Sequence, residues 1–376
     1  MQFRDLKKQY EVLRPQMDAA MIEVAASSAY IGGPQVKTLE KRLAEYVGVK
    51  HCITCGNGTD ALQLSLMAWG VGPGDAVFVP DFTFFASGEV VSVLGATPVF
   101  YDVCADTFNA DPISLEKAII AVRKEGKLNP KAVIDVDLFG LPADHENIAA
   151  VAEFYGLFFL EDAAQGFGGT LHGKRNGAFG DAAATSFFPA KPVGCYGDGG
   201  AVFTNSDDTA ALIRSLCVHG KGSSKYDNVR LGMNSRLDTI QAAILHVKLD
   251  AFEKYELADV NKAAAMYNEA LAGLDVILPT VPEGWGSSWA QYTLRLSDEA
   301  RRDAVQASLS EQGVPSMVYY PKPMHTQLAF EGNRQYVPCP VTEELCRTVL
   351  SLPMHPYLDS ETVSAVAGAL KKALNG

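Results

Sequence analysis

Short, mostly apolar runs alternate along the N-terminal half of the chain with longer stretches whose apolar residues recur every three to four positions. The runs are residues 52–55, 76–80, 98–103, 132–139, 157–160, 182–188 and 201–204, rich in Val, Ile and Phe. The helical stretches between them include 59–69, 85–94, 114–124 and 148–155. A strand that is apolar throughout, without polar alternation, is covered on both faces. Strands separated by helices therefore imply an α/β fold: a mostly parallel seven-stranded sheet with helices on both faces. Ligands of such sheets bind at the C-terminal ends of the strands.

Beyond residue 204 the pattern changes. Ser235 and Asp238 read as a capping box opening a long helix, with Leu237, Ile240, Ile244, Val247 and Ala251 at helical spacing and continuation to about residue 274. Residues 292–296 and 314–320 read as strands, 341–350 and 362–374 as helices. The expected division is a large domain over 1–245, with an N-terminal helical segment, and a smaller C-terminal α+β domain over 246–376, joined by the long helix. No internal repeat or low-complexity segment is visible.

Composition narrows the function. The 376 residues, 48% of them apolar, can build two cores. A formal charge of −12 argues against a nucleic-acid surface, which needs a basic patch. The N-terminus lacks the apolar core of a signal peptide, and no run has the length of a membrane span. A soluble cytoplasmic protein is expected. The seven cysteines do not suggest a disulfide framework. Cys52-x-x-Cys55 stands without a second such pair or a nearby His pair, so no metal site is expected. These two thiols read as lying at the edge of one face of a buried strand.

Four local signals carry chemistry. Asp162 follows Glu161 at the end of the apolar run Leu157-Phe158-Phe159-Leu160. It either caps the next helix or sits in a partly desolvated crevice, where it needs a cationic partner such as a protonated pyridine. Lys191, in Ser186-Phe187-Phe188-Pro189-Ala190-Lys191, is enclosed by apolar strands, which would lower its pKa and make it a nucleophile and base. Gly56-Asn57-Gly58-Thr59 opens a helix after a strand; it is either an ordinary Gly-rich turn or a phosphate cradle. Phe84 either packs in the core or stacks on a cofactor ring. A lysine and an aspartate at strand ends are what pyridoxal 5′-phosphate (PLP) chemistry requires: the lysine for a Schiff base, the acid to keep the ring nitrogen protonated. Gln165 could then reach the 3′ oxygen, and Ser186 the phosphate.

These motifs extend along nearly the whole chain. They run from Asp5-Leu6-Lys7 and Gly32-Gly33-Pro34 through Asn57-Gly58-Thr59-Asp60-Ala61-Leu62, Glu161-Asp162-Ala163-Ala164-Gln165 and Gly197-Asp198-Gly199-Gly200. They end with Asn234-Ser235-Arg236-Leu237-Asp238 and Ser351-Leu352-Pro353-Met354-His355-Pro356. The chain resembles the DegT/DnrJ/StrS family of nucleotide-sugar aminotransferases, which have the fold-type I PLP-dependent transferase fold. The resemblance implies Lys191 as Schiff-base lysine and base and Asp162 at the pyridine nitrogen. It further implies cofactor contacts from Gly58, Thr59, Asp60, Phe84, Gln165 and Ser186, and Asn234 reaching the phosphate of a neighbouring subunit, hence a homodimer with shared active sites.

Within the family the chain is similar to enzymes that aminate a UDP-linked 2-acetamido-3-keto sugar of the 3-oxo-glucuronate type, used in surface-polysaccharide and lipopolysaccharide O-antigen synthesis. A 4-keto acceptor, or a PLP lyase acting on an amino acid, are the alternatives. The resemblance implies L-glutamate as donor, 2-oxoglutarate as product, pyridoxamine phosphate as the carrier between half-reactions, and ping-pong kinetics. For the substrate, Tyr320 and His325 are candidates near the sugar. Lys221, Lys225, Arg230 and Arg236 either meet its diphosphate or form a solvated charged loop.

Overall fold

The computed structural model describes residues 1–224 and 226–375. Its main sheet contains β1 (His51–Cys55), β2 (Asp75–Pro80), β3 (Thr97–Tyr101), β4 (Asn129–Val136), β5 (Phe158–Asp162), β6 (Ala182–Ser186) and β7 (Gly200–Thr204). The spatial order is β1-β7-β6-β5-β4-β2-β3. Strands β2 to β6 pair in parallel, whereas β7 is antiparallel to both β1 and β6.

The helices of this unit are α1 (Leu6–Ser27), α2 (Pro34–Val47), α3 (Gly58–Ala68), α4 (Ala86–Val93), α5 (Pro112–Glu125), α6 (His145–Tyr155), α7 (Asp207–Leu216) and α8 (Thr239–Ala251). Alternate strand residues point to opposite faces, and both faces are buried. On one, Ile53, Val77, Val79, Ile134, Leu160 and Val202 meet Leu62, Val90 and Ile213 of α3, α4 and α7. On the other, Phe78, Val99, Val133 and Phe159 meet Ile119 and Ile148 of α5 and α6. Cys52, Ala183 and Phe203 there pack on Met17, Leu39 and Ile244 of α1, α2 and α8. This is the reason the strands read as continuous apolar runs. Each fully buried Leu, Val or Phe contributes about 1.5–3 kcal/mol.

A second core lies in the C-terminal region. It is built from α9 (Leu257–Ala270), α10 (Glu299–Glu311), α11 (Pro340–Thr348), α12 (Ser360–Asn375) and the antiparallel pair β8 (Tyr292–Arg295) and β9 (Val349–Leu352). The long helix contains a π-helical turn at Phe252–Glu256. Phe252 packs in the large core, Leu257 against both and Val260 in the small one, so the change of core falls just after that turn.

Four local expectations are corrected. Cys52 and Cys55 project to opposite faces, since three residues along a strand reverses the side. Ser235 does not open the long helix: its hydroxyl donates to Asp60 Oδ2 at 2.6 Å, and the helix begins at Thr239. Residues 314–320 form no strand. Only Met317 pairs with Ser351, and the chain then turns so that Tyr319 and Tyr320 line a cavity. Finally, the helix expected over 341–350 ends at Thr348, where β9 begins.

Candidate active site

A cavity of about 620 Å³ opens where β5, the loop after β6 and the N-terminus of α3 converge, closed on one side by Tyr319 and Tyr320. Strand geometry sends the two adjacent acids of β5 apart. Leu160 packs toward α3 and α4, so Asp162, two residues on, shares that side and lines the cavity. Its Oδ2 accepts from the Ser87 hydroxyl at 2.8 Å, and its Oδ1 from the Ala164 N–H at 3.2 Å. Burial raises its pKa; the Ser87 and Ala164 bonds and the Lys191 charge pull it back. Among the described residues no cation lies within ion-pair distance of Asp162.

Glu161 points to the opposite face. Its carboxylate accepts from the N–H groups of Gly177 and Phe179 at 2.5 and 2.8 Å and lies 3.8 Å from His145 Nε2. His145 is buried between Asp135, at 2.9 Å, and Asp137, at 3.0 Å. Despite burial, which works the other way, these acids raise the imidazole pKa, as befits an imidazolium sharing its charge among carboxylates.

Lys191 lies in the turn after β6, half-buried, and also lines the cavity. Its N–H donates to the Phe188 carbonyl at 2.8 Å, and its own carbonyl accepts from Arg4 Nη2 at 2.8 Å. Burial lowers the ammonium pKa; Asp162 pulls the other way and Arg4 adds to the lowering. Its amine has no carboxylate within ion-pair distance among the described residues. A cavity holding one buried acid and one unpaired amine can bind a ligand carrying both a cationic and an electrophilic centre.

The N-terminus of α3 forms the next wall. Asn57 caps it, accepting from Asp60 N–H at 2.7 Å, and leaves the N-terminal N–H groups of the helix free for an anion. The approach is tight: a Cβ on Gly58 would lie 2.6 Å from that of Ser186, and one on Gly200 only 2.4 Å from the Asn57 carbonyl. Gly58, Thr59, Asp60 and Ser186 all line the cavity. The Asp60 carboxylate is engaged by Ser235, which also accepts from Gly56 N–H at 2.8 Å.

Phe84 is not a core residue. It is 53% exposed and presents its ring to the cavity, 6.3 Å from that of Tyr320. Gln165 accepts from Phe139 N–H at 2.9 Å and donates through Nε2 to the Tyr320 hydroxyl at 3.2 Å, so its donor end faces the site.

The remaining candidates stand elsewhere. Lys221, Arg230 and Asn234 lie on the exposed segment following α7, where Asn234 pairs with Val218 and Lys221 with Asn228. Arg230 donates to Ser215 Oγ at 2.5 Å, and Arg236 to Asn234 Oδ1 at 2.7 Å. None of them lines this chain's cavity. Lys225 lies outside the described residues. His325 is turned away: its N–H and Nδ1 contact Asp81 at 2.8 and 2.6 Å.

Sequence reasoning missed Ser87 and Arg4, and the cavity-lining Tyr319 and Gln291. Only folding brings Ser87 to Asp162 and Arg4 to Lys191, and no local motif marks them. Tyr319 had a signal, its place between Val318 and Tyr320, but that reads equally as strand.

The residues present suit PLP on this geometry. The buried acid lacking a cation matches the pyridine nitrogen, the amine matches the aldehyde, and the tight Gly58–Ser186 approach with free N–H groups matches a phosphate.

Known proteins bear on this site. The profile of the DegT/DnrJ/EryC1/StrS aminotransferase family matches residues 12–371. The chain is 46% identical to a UDP-2-acetamido-2-deoxy-3-oxo-D-glucuronate aminotransferase of Pseudomonas aeruginosa, over 98% of this chain and 99% of that one. It is 41% identical to a UDP-N-acetyl-3-dehydro-alpha-D-glucosamine 3-aminotransferase of Acidithiobacillus ferrooxidans, over 99% and 97%. The crystal structure of a DegT DnrJ EryC1 StrS aminotransferase from Brucella abortus superposes with a TM-score of 0.96 at 50% identity, covering 99% of both chains.

Proposed function

The chain belongs to the DegT/DnrJ/EryC1/StrS aminotransferase family, and on that footing we propose that it transfers an amino group from L-glutamate to the keto carbon of a UDP-linked 2-acetamido-3-keto sugar, with PLP as cofactor. The observation that carries the reading is the convergence of Lys191, Asp162 and the N-terminus of α3 on one cavity at the strand ends. Aminotransferases of this family are PLP-dependent. Bound here, the cofactor supplies an electron sink for the carbanion formed at the substrate carbon.

The protein's own residues do the rest. Asp162, ionised against a ring N–H⁺, holds that proton in place; its low exposure strengthens the pair. Lys191 Nζ, the amine facing the cofactor aldehyde, would take a proton from the donor's α-carbon and later return one to the sugar carbon. Gly58 and Thr59 N–H groups and the Thr59 and Ser186 hydroxyls would hydrogen-bond the phosphate. Phe84 covers the ring, and Gln165 Nε2 offers a donor to the ring oxygen.

The acceptor assignment rests on the names of two relatives, both UDP-linked 3-keto sugar enzymes. The sugar diphosphate needs cations, and this chain's Lys221 and Arg230 are exposed on a segment carrying the uncovered Val229 and Leu231 (54% and 92% exposed). A second copy of the chain would cover those side chains and receive Asn234, Lys221 and Arg230 at its own cavity, which makes a homodimer with shared sites the working unit.

The test is to incubate the enzyme with nitrogen-labelled L-glutamate and, separately, UDP-linked 3-keto and 4-keto sugars, and follow label into sugar by mass spectrometry. Label in the 3-keto sugar alone supports the assignment. Label in the 4-keto sugar alone moves the ketone. Label in neither, with glutamate consumed, points to a lyase.

A further inference from the structure

The segment before α1 touches three parts of the molecule within two residues. The Phe3 carbonyl accepts from Met354 N–H at 3.0 Å. The Phe3 ring meets Tyr319 edge-on, with centroids 6.2 Å apart. Arg4 Nη2 donates to the main-chain carbonyl of Lys191 at 2.8 Å. Asp5 then caps α1, accepting from Lys8 N–H at 2.8 Å. The segment thus ties the C-terminal unit, the cavity wall and the backbone of the reactive lysine together.

Arg4 is the unusual member. Its guanidinium is half-buried, and among the described residues it has no carboxylate within ion-pair distance. Burying an unpaired cation is costly. The acid that acts on it most strongly, Glu256, is already held by Gln9 Nε2 at 2.9 and 3.2 Å and by the Tyr357 hydroxyl at 2.5 Å. The other charged or titratable neighbours of Arg4 are Lys248, His355, Tyr357 and Lys191. Burial acts most strongly on the Lys191 amine; of the charged groups, Asp162 favours the ammonium and Arg4 opposes it.

We propose that Arg4 is a positioning residue for Lys191: its Nη2–H fixes the lysine's main chain and sets the guanidinium at the foot of that side chain. The charge held there works against the ammonium form of the ε-amine. A neutral amine is the form that can act as nucleophile and base. Burial disfavours the ammonium and Asp162 favours it; the Arg4 charge adds to burial and offsets part of the pull of Asp162. The inference rests on Lys191 being the reactive amine.

The test uses cofactor-free full-length protein, so it does not depend on cofactor binding. Lys191 is acetylated competitively with acetic anhydride across a pH series and quantified by mass spectrometry, with exposed Lys41 as internal reference, in wild type, Arg4→Gln and Arg4→Lys. Arg4→Gln is expected to move the Lys191 midpoint upward and cut its reactivity below the midpoint about 3- to 10-fold, the effect of losing one nearby like charge. Arg4→Lys, which keeps the charge, should restore most of it. Should Arg4→Gln lose the cooperative melt of wild type, Arg4→Met takes its place. A low wild-type midpoint that neither neutral variant moves overturns the role of Arg4 alone. A wild-type midpoint equal to that of Lys41 overturns the environment assigned to Lys191 itself.

Discussion

Ser87 and Asp162 are joined by a 2.8 Å hydrogen bond from the hydroxyl to Oδ2, bringing the first turn of α4 against the end of β5. The bond lies beneath the cavity, with both partners buried. It orients the carboxylate and lowers the cost of keeping it ionised without contacting a ligand itself. Ser87→Ala is expected to reduce kcat/KM about 10-fold, as for loss of one hydrogen bond to a charged group, with the melting temperature little changed. Steady-state kinetics beside a thermal melt separates the two effects.

Phe84 leaves about half its surface exposed at the cavity instead of packing into the core. Phe84→Ala should therefore weaken cofactor binding about 2- to 10-fold, the range of one aromatic stacking contact, while leaving stability almost intact. Phe84→Tyr should restore binding. Fluorescence titration of cofactor-free protein reads this directly; a large loss of stability would show that the ring serves packing.

His325 binds the buried Asp81 carboxylate through both its N–H and its ring. The hydrogen bond to Asp81 raises its pKa above the usual histidine value. A raised folded-state pKa contributes stability that is fully present below the unfolded value of about 6.5 and is lost as pH rises through the higher folded value. The difference in melting temperature between wild type and His325→Gln should accordingly be widest at mildly acidic pH and shrink on the alkaline side. A difference that grows with pH contradicts this sign.

Arg230 is exposed and does not line its own chain's cavity. If it serves the sugar diphosphate of a paired subunit, Arg230→Glu should raise the sugar KM about 10-fold or more and leave the glutamate half-reaction nearly unchanged. Equal damage to both half-reactions removes it from sugar binding.

The sheet was readable because its strands are buried on both faces, so the runs from 76–80 to 201–204 are mostly apolar, without polar alternation. Lys191 and Asp162 were readable for a related reason: a charged residue at the end of such a run is conspicuous. Contacts between distant segments were not readable. Ser235 looked like a helix cap because its spacing to Asp238 fits one, yet its hydroxyl is taken by Asp60. Residues 314–320 look β-forming, but only Met317 finds a partner, and the following tyrosines are drawn to the cavity. Arg4 acts across 187 positions of sequence, and no local pattern encodes such a contact.

The central claim is that Lys191 and Asp162 form a PLP-dependent aminotransferase site, and the absorption spectrum of the purified, PLP-loaded protein tests it most directly. A visible yellow band that fades into a near-ultraviolet band on adding L-glutamate, and that is absent from Lys191→Ala, is the expected result. Protein that stays colourless with PLP supplied, or a Lys191→Ala variant with an unchanged spectrum and an unchanged response to glutamate, would contradict it.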